Sequence, residues 1–172
     1  MIERPAASEY ASFYAGYISS LPDGDILDIL EKQTSELRQL AAATPADRET
    51  FRYADGKWSV REVVGHMIDG ERVFSYRTLR FSRGDQTPLP GFEENQYVAA
   101  SGFDRRPLAS LVDELVLLRQ ANLGMLRALA PEAWTRTGTA NNHPISVRAL
   151  AFIMAGHVRH HLNILRDRYG VS

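Results

Sequence analysis

"GKWSVREVVGHMIDGERVF", residues 56–74, carries the best-marked helix start in the chain. Ser59 is placed to cap the helix, Glu62 answers three residues later, and Trp58 and Val63 can staple across the cap. The helix should run to about Phe81, because Gly84, Pro88, Pro90 and Gly91 follow closely. Counted at about 100° per residue from Ser59, Val63, Met67, Gly70 and Phe74 fall on one apolar face, and His66 sits on its inner side.

A second stretch, "SVRALAFIMAGHVRHHLNIL" (residues 146–165), holds three of the five histidines. On its helical wheel His157 and His161 fall within the apolar stripe of Leu150, Ile153, Met154 and Leu165, while His160, about 60° from His157, sits at the edge of the stripe and is the weaker candidate. Histidines at i and i+4 can bring two rings to one ion, and His66 is the only other helical histidine. At about 1.5 Å per residue, His66 and His161 fall at similar heights if their two helices run antiparallel. Three inward imidazoles from two helices point to a metal site at His66, His157 and His161. The alternative is a set of core histidines satisfied by ordinary hydrogen bonds.

Working outward, "DILDILEKQTSELRQLAAAT" repeats Ile26, Leu27, Leu30, Leu37 and Leu40 at helical spacing, with Asp25 as cap and Pro45 as stop. The chain before about Pro22 reads as irregular or weakly helical. Residues 107–129 give a third helix with Pro107 in its first turn, closed by Pro131. Residues 145–170 give the fourth, capped by Ser146 and ended at Gly170. Between the second and third helices, Ser82 to Asp104 has little periodicity and is long enough to return along a whole helix. No strand alternation is visible. These readings give an all-α fold: one domain, residues 1–172, a four-helix bundle with a long crossover between its second and third helices.

Composition narrows the function classes. Twenty Lys+Arg against 21 Asp+Glu give a formal charge of -1, without a basic run, so charge does not indicate nucleic acid. No cysteine is present, so a metal must be held by His, Asp, Glu or water. The N-terminus has no apolar leader pattern and no run approaches membrane-spanning length, which leads us to expect a soluble, cytoplasmic protein without membrane association. No HExxH or GxSxG motif occurs, so metalloprotease and serine hydrolase readings lack support.

Other polar residues have blander readings. Asp69, Glu71 and Arg72 offer a carboxylate ligand or a general base, but Asp69 falls on the rim of its helix, which favours a solvated ion pair with a neighbour. His143 is expected on a surface loop. Glu93, Glu94 and Tyr97 belong to a segment expected to cover the mouth of the pocket.

The Lys57-Trp58-Ser59 helix start, His66 and the His157/His161 pair together resemble the DinB-like superfamily of damage-inducible, metal-dependent proteins. The likeness runs from about Asp23 to Tyr169. It implies an up-down-down-up four-helix bundle with a divalent ion, zinc or nickel, held by three histidines that map onto His66, His157 and His161. It also implies relatives that include enzymes using low-molecular-weight thiols as cosubstrates and others proposed as hydrolases, alongside many members without a known reaction. A homodimer is expected from the resemblance and from Tyr10, Phe13, Tyr14 and Tyr17, aromatic residues ahead of the first long helix. Two functions stay open. One is an enzyme in which the ion activates external water or a small thiol for hydrolysis or S-transfer. The other is a non-catalytic metal- or ligand-binding stress protein.

Overall fold

The computed structural model describes residues 1–171. Two 3-10 turns and a short helix, α1 (Ala15–Ser19), precede α2 (Ile26–Ala43) and α3 (Val60–Ser82). A short α4 (Glu94–Ser101) and α5 (Leu108–Arg127) follow, then a hairpin of β1 (Thr137–Ala140) and β2 (His143–Ser146), and finally α6 (Val147–Tyr169). The four long helices, α2, α3, α5 and α6, form a bundle, and among the described residues no helix is long and apolar enough to cross a membrane.

The helix starts follow the local chemistry. Asp25 accepts from the backbone of Leu27. At α3 the capping box is complete: Ser59 Oγ accepts from Glu62 N at 3.1 Å and the Glu62 carboxylate accepts from Ser59 N at 2.9 Å. Each such cap contributes about 1 kcal/mol, so both ends of the sequence signal correspond to real stabilisation. Ser146 accepts from Ala149 N to start α6, which ends where Gly170 adopts φ 65°.

Contacts between helices have a consistent sense. Along α3 and α5 partners advance together, with Arg72 pairing with Glu114 and Ser75 donating to Asn122. Along α2 and α6, Gln33 donates to the Ala155 carbonyl and Glu36 lies 3.6 Å from Arg159. Between α3 and α6 the sense reverses: Tyr169, at the end of α6, donates to the carbonyl of Trp58, just before α3.

The apolar core divides into two clusters. One gathers Leu30, Phe74, Leu123 and Phe152; the other gathers Leu37, Ile68, Val116 and Val158. On every long helix a buried polar residue lies between the two: Gln33 on α2, Glu71 on α3, Arg119 on α5 and His157 on α6. The bundle is thus crossed by a polar layer. Its members are all satisfied by one another or directed at the site.

Two expectations need correction. The segment from Ser82 to Asp104 is not structureless but contains α4, which starts where Glu93 accepts from Asn95 N. The chain is not purely helical: β1 and β2 pair antiparallel around Asn141 and Asn142, whose φ values of 50° and 63° fit a primed hairpin turn. Strands of four residues, one containing Pro144, are too short to show alternation in sequence. His143 accordingly begins β2 and is no loop residue, although it is exposed as expected.

Candidate functional site

His66 projects from the second turn of α3, and the residue before the cap explains its setting. The Trp58 ring lies 4.8 Å from the His66 ring, so the helix-start motif builds one wall of the site. His157 and His161 come from successive turns of α6. One nitrogen from each of the three rings lies within 4.8 Å of the others. The Nε2 atoms of His66 and His157 are 2.9 Å apart, and Nε2 of His161 is buried with no hydrogen-bond partner among the described residues.

The rings are 3%, 4% and 8% exposed, in the order His66, His157, His161, and that burial decides their charge. Burial, with a smaller contribution from His160, pushes His66 down to about 4. Burial foremost, reinforced by the neighbouring imidazoles, holds His157 and His161 well below the usual histidine range. All three are therefore neutral at physiological pH and keep lone pairs free for donation. His160 is exposed and stands against Tyr17, with ring centres 5.2 Å apart, as the wheel implied.

Two glycines permit this crowding. A Cβ on Gly70 would lie 2.7 Å from Cε1 of His157, so only glycine lets that ring rest on α3. A Cβ on Gly156 would lie 2.4 Å from the Tyr17 carbonyl, so glycine lets α1 approach α6 beside the triad.

A pocket of about 350 Å³ reaches His66 and His157 between aromatic walls that include Tyr14, Tyr17, Phe74 and Phe92. A smaller cleft of about 230 Å³ reaches His161 beside Trp58 and Asn95. Glu94 borders both. Its carboxylate is 3.9 Å from Nε2 of His66, half-exposed, and burial followed by the charge of Glu93 raises its pKa. The crossover therefore supplies a carboxylate at the site as well as a cover. Tyr97 stays exposed against Phe92.

Glu71 lies inside the bundle. It is 1% exposed and receives two hydrogen bonds of 2.8 Å from Arg119 and one of 2.8 Å from Asn122, while Arg119 also donates to Gln33 and the Leu30 carbonyl. Asp69 is half-buried, with its pKa raised chiefly by that burial, and among the described residues it has no ion-pair partner. Arg119 was missed in the sequence, although it occupies the stripe position between Leu115 and Leu123, as Gln33 does between Leu30 and Leu37. Tyr10, Tyr14 and Tyr17 pack against the core of their own chain, leaving Phe13 as the exposed member of that aromatic group.

The fold is similar to that of YfiT from Bacillus subtilis, a probable metal-dependent hydrolase with an unusual four-helix bundle topology. The TM-score is 0.74 at 19% identity, covering 99% of this chain and 95% of that one. It is also similar to the mycothiol-dependent maleylpyruvate isomerase, with TM-score 0.67 and 16% identity, covering 90% of this chain and 63% of that longer one. Comparison with curated protein sequences gives no match. Residues 29–165, most of the chain, match the DinB superfamily, and the chain belongs to that family.

Proposed function

We propose that this protein is a divalent-metal-dependent enzyme acting on a small molecule, with zinc or nickel held by His66, His157 and His161. The observation that carries the reading is the convergence of three buried, neutral imidazoles on one point, one of them with an unpartnered nitrogen. Tetrahedral zinc with Zn–N bonds of about 2.0–2.1 Å separates its nitrogens by about 3.3 Å. The present spacing, from 2.9 Å up to 4.8 Å, surrounds that value, so small ring adjustments fit the donor set to the ion. Core histidines satisfied by hydrogen bonds alone would not leave His161 Nε2 buried and free.

When bound, the ion would lower the pKa of water or of a small thiol and make it a nucleophile near neutral pH. The chain supplies the rest. Glu94, with its raised pKa, is placed to accept a proton at the mouth and return it to a leaving group. The aromatic walls exclude water from the pocket around a bound substrate. Without a cysteine, the chain offers no thiol nucleophile of its own, so the attacking group comes from outside. YfiT, described as metal-dependent, and the mycothiol-dependent isomerase support the two chemistries, hydrolysis and thiol-dependent transfer. The sense of the interhelical contacts supports an up-down-down-up helix order, and a homodimer is proposed with Phe13 at its edge, to be checked by light scattering.

The test incubates metal-loaded protein with biological thiols and electrophiles, and in parallel with ester and amide substrates, comparing wild type with His161→Ala. Turnover by wild type that His161→Ala abolishes is expected. Equal turnover by both overturns the metal's role, and no turnover in any assay turns the reading to a non-catalytic binding protein.

A further inference from the structure

Arg77 is the second guanidinium buried in this bundle, and it is treated differently from the first. Arg119, 0% exposed, is neutralised by the bidentate carboxylate of Glu71. Arg77 is 3% exposed, yet among the described residues no carboxylate lies within 4.0 Å of it. Its Nη2 donates to the Pro90 carbonyl at 2.8 Å, and the Tyr14 hydroxyl is its other polar neighbour. Arginine does not shed its charge on burial, and a buried cation without a counter-ion is costly. Arg77 lines the same pocket as His66 and His157.

The placement relative to the histidines is regular. Arg77 follows His66 by eleven residues, which leaves the two about 20° apart on one face of α3 and about 16 Å apart along its axis. Side chains tilt toward the helix N-terminus, so the guanidinium leans back toward the histidines, on the order of 10 Å from them. Rings of Phe13, Tyr14, Tyr17, Phe74 and Phe92 line the space between, and Glu93 and Glu94 stand at the same pocket.

We propose that this pocket takes a small molecule with an apolar body and a carboxylate, and that Arg77 seats that carboxylate. The proposal rests on the pocket being where substrate meets the histidines. The planar fork of arginine matches a carboxylate bidentately. Among the described residues Arg77 is the only cationic side chain lining the pocket, so a group with one negative charge suits it better than a phosphate with nearly two. Glu94, beside His66, repels the same carboxylate from the histidine end, so the two charges fix which way the molecule enters.

The test compares binding of hydrocinnamate with that of its uncharged amide by calorimetry, on zinc-free and zinc-loaded protein. Wild type should bind the acid at least about tenfold more tightly than the amide in both states. Arg77→Met should erase the preference by weakening acid binding about tenfold more than amide binding, and Arg77→Lys should keep part of it. Should Arg77→Met fail to fold, Arg77→Lys is read alone, and acid affinity equal to wild type overturns the proposal. Equal binding of acid and amide by wild type, no binding of the acid, or a preference that survives Arg77→Met likewise overturns it. Zinc content is measured separately. Failure to load zinc would remove the metal reading, whereas the acid preference of zinc-free protein would still report on Arg77.

Discussion

Substituting Glu71→Gln keeps the shape of the polar layer and removes one charge from it. In the native protein Glu71 and Arg119 are 1% and 0% exposed, joined by two hydrogen bonds of 2.8 Å, with a third from Asn122. Glutamine presents one acceptor and turns an NH₂ group toward a donor, leaving Arg119 charged and unneutralised in the core. Breaking a buried pair from one side costs about 3–5 kcal/mol, against a total stability of about 5–15 kcal/mol for a domain. Changing both residues to Met removes the stranded charge; it leaves Gln33 and Asn122 each short of a partner, about 1–3 kcal/mol apiece, but replacing a buried ion pair with apolar side chains stabilises by up to about 4 kcal/mol and offsets most of that loss. Urea unfolding followed by far-UV circular dichroism should therefore rank the variants wild type, double, then Glu71→Gln as the least stable. A loss under about 1 kcal/mol for Glu71→Gln, or a double variant less stable than the single, would refute the reasoning.

Gly70→Ala should weaken zinc binding by about tenfold or more, because the new methyl lies 2.7 Å from His157 Cε1, while better helix propensity of about 1 kcal/mol offsets much of the overpacking in stability. Competition with a chelator measures the first and thermal melting the second; unchanged affinity would show that the ring moves freely. Acid should loosen the N-terminal segment. Hydrogen bonds from Arg148 hold Glu9 at about 2 instead of 4.5, so the unfolded chain takes up the proton first and stability falls as pH drops from 4.5 toward 2. The loss is about 1 kcal/mol after solvent screening and should vanish in Glu9→Gln, as read by melting temperature across that window.

The caps and the histidine pair were legible in the sequence because both are local patterns: Ser59 with Glu62 at i+3, His157 with His161 at i+4; His66 joined the pair through its helical face and its matching height on an antiparallel helix. The helix wheel also put His160 at the edge of the apolar stripe, as the weaker candidate. The hairpin was hidden because its turn depends on left-handed conformations at Asn141 and Asn142 in strands with too few apolar residues to alternate. Glu94 reaches the pocket only once the crossover has folded over α3, a long-range fact that spacing does not encode, whereas Arg77 shares the His66 face of α3 and only its burial depends on the folded crossover. Glu71 sat at the edge of the apolar face, and its burial became visible only with Arg119 brought across from α5.

Metal content measured on protein reconstituted with zinc or nickel and freed of excess ion tests the central claim most directly. Wild type should retain one ion per chain, His66→Ala, His157→Ala and His161→Ala should each lose it, and His160→Ala should retain it. A wild type that holds no ion, or a folded His157→Ala that holds it undiminished, would contradict the account.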